Sequence, residues 1–94
     1  MKKGVYNLDL IKENIRKQEG LVLFCYECSQ GKTTVGYGRN LDDRGITKEE
    51  AEYLLDNDIE RVVNDLDKYW AAWRNFPVKA QAVCIDMTFQ LGIS

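Results

Sequence analysis

The spacing of apolar residues changes several times along this chain, and each change predicts a new element. Leu8, Ile11 and Ile15 recur at steps of three and four behind Asn7, a residue suited to capping a helix N-terminus. A first helix is therefore predicted up to Gly20, a natural residue just past a helix end. Leu21 to Tyr26 and Thr33 to Tyr37 are rich in β-branched and aromatic residues and read as two strands. Ser29-Gln30-Gly31-Lys32 between them reads as a hairpin loop with glycine at the strained position. Gly36 and Gly38 flank Tyr37, which suggests a bulge or a close backbone approach. Asn40 to Gly45 carries polar and glycine turn chemistry and is expected to be a loop.

The second half has a helical period throughout. Thr47-Lys48-Glu49-Glu50 is a capping box, so a helix is predicted to start there. Ala51, Leu55, Ile59, Val62, Leu66, Trp70 and Trp73 follow at steps of three and four, one sustained apolar face. Unbroken, that helix would hold about 26 residues and measure roughly 40 Å. Trp70 and Trp73 on this stripe read as packing residues, with sugar stacking the alternative. Pro77 suits the first turn of a last helix, Val78 to Leu91, whose apolar residues cover most of its circumference. Such a helix demands burial, yet the sequence ends three residues later, so a second copy or a partner is expected to cover it.

Composition narrows the possibilities. The 94 residues allow one small α+β domain, and 45% apolar residues mark it as globular. The net charge of −2 gives no reason to expect nucleic acid or a membrane surface as partner. It conceals an asymmetry: residues 1–39 hold seven Lys/Arg against four Asp/Glu, and residues 40–94 six against eleven. The basic start Met1-Lys2-Lys3-Gly4 precedes no apolar segment of useful length, so neither a signal peptide nor a membrane span is expected, and production in the cytoplasm is. Cys25, Cys28 and Cys84 are odd in number, against a complete disulfide framework. Cys25-x-x-Cys28 leaves a redox or metal module as a third reading, but with no histidine and no second pair a metal site is not expected.

One stretch raises a chemical question. Glu19 falls in the last turn of a helix, where the dipole disfavours a carboxylate, and a thiol and a hydroxyl follow on the two sides of the hairpin. Glu19, eight residues, Cys28, five residues and Thr34 resemble the catalytic signature of the phage-type lysozymes, in which the middle residue is aspartate or cysteine. Glu19-Gly20-Leu21, Thr34-Val35-Gly36-Tyr37-Gly38, Ile46-Thr47-Lys48-Glu49-Glu50-Ala51-Glu52 and Cys84 to Gly92 are similar to further blocks of that family in the same order. Arg39 stands where the family often has histidine, and the family usually continues for sixty or more residues.

The resemblance implies a lysozyme-like fold: a short N-terminal helix, a small antiparallel β region, a long inter-lobe helix and one hydrophobic helix of an incomplete second lobe. The corresponding ranges are 1–46, 47–75 and 76–94 of a single, C-terminally truncated domain. It implies a muramidase that cleaves the β-1,4 bond between N-acetylmuramic acid and N-acetylglucosamine in peptidoglycan, without a cofactor. Glu19 would be the general acid, Cys28 the second catalytic group and Thr34 the residue that positions water. Tyr26, Tyr37 and Arg39 are candidate substrate contacts. The alternative is a homologue that no longer hydrolyses glycans and acts through self-association or a partner.

Overall fold

The computed structural model describes residues 5–91; the basic start at residues 1–4 and Gly92, the last residue of the matching C-terminal block, lie outside them. The architecture is α+β and lysozyme-like, combining helices with a three-stranded antiparallel sheet. The chain divides into two compact units, Met1–Ile46 and Thr47–Ser94.

In the first unit, helix α1 (Leu8–Glu19) starts where Asn7 accepts the Leu10 N–H at 3.0 Å. It stops at Gly20, whose φ of +70° and N–H bond to the Arg16 carbonyl at 2.9 Å close the last turn. Strands β1 (Val22–Glu27), β2 (Thr33–Gly36) and β3 (Arg39–Asn40) pair in sequence order. Tyr26 lies opposite Thr34 and Val22 opposite Gly36, so β1 carries two more residues than β2 over that interval. The resulting bulge breaks the in–out alternation, and Leu23 and Phe24 are both exposed, at 74% and 85%. Gly31, at φ +76°, turns the chain so that the Cys28 N–H donates to the Lys32 carbonyl at 2.9 Å.

The segment expected to be a loop at Asn40 to Gly45 is instead β3 followed by a one-turn helix, α2 (Leu41–Arg44). Asn40 ends the strand and caps the helix, accepting the Asp43 N–H at 3.0 Å. Asp42 and Asp43 fall in its first turn, the favourable end for carboxylates.

In the second unit, α3 (Lys48–Tyr69) begins with both bonds of the capping box: Thr47 N–H to Glu50 at 2.8 Å and Glu50 N–H to Thr47 Oγ1 at 3.1 Å. The helix is shorter than the apolar stripe suggests. It holds 22 residues and breaks at Trp70, and Ala71–Asn75 form a tighter 3₁₀ turn. The break lets Asp67 collect the Trp73 indole N–H at 2.8 Å and both arms of the Arg74 guanidinium at 2.8 Å. Trp73, 2% exposed, completes a core with Val62 and Leu66, while Trp70 stands half-exposed and meets Phe76 edge to face at 5.3 Å. The last helix, α4 (Val78–Leu91), has no fully buried residue. Cys84 and Ile85 pack towards the core, whereas Val83, Met87 and Leu91 are exposed. No helix among the described residues is long and apolar enough to cross a membrane.

Candidate active site

The candidate residues fall into two clusters joined by β2. Glu19 is the last residue of α1, and the positive φ of Gly20 turns the chain directly after it. Its carboxylate lies against the backbone of the β2–β3 turn: a side-chain carbon placed on Gly38 would sit 3.0 Å from Glu19 Oε2 and 3.2 Å from its Cδ. Gly38, at φ +81°, is therefore required twice, for the turn and for the approach of the carboxylate. Arg16, one turn earlier on α1, stands with its guanidinium carbon 5.9 Å from the centre of the Tyr37 ring. The unfavourable helix-end carboxylate thus packs against a specific backbone position.

The second cluster is the β1–β2 turn. Cys28, half-buried, follows β1, and Thr34, 3% exposed, lies on β2. The backbone N–H groups of Gln30 and then Lys32 hold the Cys28 thiol below its ordinary pKa; partial burial opposes this and the Thr34 hydroxyl adds to it. Thr34 Oγ1 also lies 2.9 Å from the Lys32 carbonyl. A hydroxyl has one proton and here two acceptors, so it donates to the carbonyl beside a neutral thiol and can turn to a thiolate.

The remaining candidates surround these clusters. Tyr26 pairs with Thr34 across the ladder and is 39% exposed; Tyr37, in the turn, is 44% exposed. Arg39, on β3, donates to the Gly45 carbonyl at 3.1 Å. A surface depression is lined by Tyr37, Gly38, Arg39, Asn40 and Arg44. Asp42 accepts the Thr33 N–H at 2.8 Å, and Asp43 takes Lys32 at 3.2 Å and the Asn40 amide at 2.9 Å. These two aspartates brace the turn that carries Cys28 and Thr34. The sequence reading missed them, although Asn40 with acidic residues two and three positions later is a helix-start signal. No cluster of metal-ligating side chains occurs among the described residues.

The fold is lysozyme-like, and the glutamate, the glycine turn against it and the Cys–Thr hairpin all lie in its sheet-bearing unit. The sequence model of the phage lysozyme family matches residues 16–94, and the chain belongs to that family. It is also similar to an endolysin of Acyrthosiphon pisum secondary endosymbiont phage 1, with 44% identity over 52 residues. The matched part covers 51% of this chain and 35% of that relative, so it spans about a third of the relative's length.

Proposed function

We propose that the protein hydrolyses the β-1,4 bond between N-acetylmuramic acid and N-acetylglucosamine in bacterial peptidoglycan, with residues 1–46 carrying the chemistry. Membership of the phage lysozyme family supports this reading, and the packing of the Glu19 carboxylate on Gly38 carries it. Glu19 donates a proton to the glycosidic oxygen as the bond to the muramyl C1 breaks. The sugar carbon gains positive charge, which a Cys28 thiolate stabilises while Thr34 orients the attacking water. Water supplies the hydroxyl of the new reducing end, and its proton returns the site to its starting state. Glu19 is exposed, so the bound glycan itself shields the carboxyl, laid over Tyr37 with Tyr26 and Arg39 as further contacts. The product identifies the bond. After borohydride reduction of digested peptidoglycan, new ends should be recovered as muramitol; glucosaminitol ends would rule out this specificity.

A second reading has its own observation. Val83, Met87 and Leu91 recur every four residues along α4 at 54%, 58% and 68% exposure. Between α3 and α4, a groove of about 370 Å³ is lined by Leu55, Ile59, Ala82, Ile85 and Phe89, with Asp86 and Gln90 as its polar members. Such apolar surface favours self-association or a protein partner, with or without hydrolysis. Light scattering tests the self-association. A concentration-dependent oligomer that Met87→Lys disperses supports it, and a monomer at every concentration counts against it.

A further inference from the structure

The depression beside Glu19 has a charge character that the hydrolytic reaction does not use. Its lining residue Gly38 is the one against which the Glu19 carboxylate packs, so the two are adjacent. Two arginines belong to its wall. Arg39 is already engaged, donating to Gly45. Arg44 is exposed at the end of α2, and among the described residues its guanidinium has neither a hydrogen-bond nor an ion-pair partner.

Among the described residues, neither neighbouring carboxylate forms an ion pair with the Arg44 guanidinium. Asp42 is taken by the Thr33 N–H, and Asp43 by Lys32 and Asn40. Arg16, over Tyr37, adds a third cation to the same side of the unit. The half-exposed Tyr37 ring gives the depression an apolar wall, so a ligand that fits it carries an anionic group next to an apolar or ring portion.

We propose that the depression formed by Tyr37, Gly38, Arg39, Asn40 and Arg44 is a subsite for a carboxylate on the lactyl arm of muramic acid, paired by Arg44. The carboxylate is either the free acid of that arm or one on the peptide attached to it. This rests on the glycan reading above and adds to it a preference for acidic over neutral glycans. A planar guanidinium with several N–H donors suits a carboxylate, and an unpartnered one gives up no existing bond to receive it. Arg44 is a binding residue in this account and takes no part in bond cleavage.

The test is calorimetric titration in a Glu19→Gln background, which slows turnover, with and without Arg44→Gln. Three tetrasaccharides of equal length serve as probes: neutral chitotetraose, the alternating muramyl glycan with free lactyl carboxylates, and the same glycan carrying peptides. Arg44→Gln should weaken an acidic glycan about three- to tenfold, leave chitotetraose unchanged, and lose its effect at high salt. A loss confined to the free-acid probe assigns the lactyl carboxylate; one confined to the peptide probe assigns a peptide carboxylate. Equal effects on neutral and acidic glycans, or none on either, overturn the subsite while leaving the glycan reading intact. Failure of the Glu19→Gln protein to bind any of the three overturns both.

Discussion

Gly38 ties the fold to the proposed chemistry more tightly than any other residue. An alanine there would take a left-handed φ and bring its Cβ to 3.0 Å from Glu19 Oε2. The backbone strain should cost about 1–2 kcal/mol, and the carboxylate, the more flexible party, should move aside. Gly38→Ala is therefore expected to lower hydrolysis well beyond what its thermal shift explains; full activity would show that the packing of Glu19 on the turn is dispensable. Cys28 offers a second check. Because Gln30 and Lys32 N–H groups lower its pKa, its alkylation rate should rise at a lower pH in the folded protein than in the denatured chain. Thr34→Val removes a donor and should move that profile back up. The sequence motif supplied the spacing of Glu19, Cys28 and Thr34 but not their surroundings. It gave no hint that Asp42 would brace the Thr33 N–H from nine residues away, since no local pattern records a contact across a turn.

Elements with local signals could be read directly. Asn7, Gly20 and the Thr47–Glu50 box marked helix ends because each satisfies backbone groups within its own turn. Thr47→Ala should cost about 1 kcal/mol, measurable by denaturant titration. The end of α3 could not be read from periodicity. The apolar stripe continues through Trp70 and Trp73, yet the helix stops because Asp67 gains three bonds from a tighter turn. Arg74 and then Trp73 hold the Asp67 carboxyl down to about 2, below the ordinary value near 4. A depressed carboxyl stabilises the fold above its unfolded pKa and loses that contribution as pH falls through its folded one. The second unit should thus weaken between about pH 4 and pH 2, and Asp67→Asn should flatten the dependence while lowering the melting temperature at neutral pH. An unchanged acid profile would remove Asp67 from the account. Trp73→Ala, at the centre of the same packing, should cost about 3–5 kcal/mol.

At the scale of the molecule, the charge asymmetry of the sequence follows the division into units. The basic residues Arg16, Arg39 and Arg44 gather in the unit that carries Glu19, and the acidic majority lies in Thr47–Ser94. Fold class was legible from the succession of periods, helical then extended then helical, because each period reflects one buried face. The apolar character of α4 was legible from its composition, but the division into a face with Cys84 and Ile85 on the core and an exposed stripe of Val83, Met87 and Leu91 was not. The central claim is that Glu19 is the proton donor of a working glycosidase. Clearing of purified peptidoglycan by the wild type beside Glu19→Gln tests it most directly. The account expects the wild type to clear the suspension and the variant to be slower by about 10²–10⁴-fold, with its fold unchanged by circular dichroism. Equal clearing by both proteins, or none by either, would contradict it.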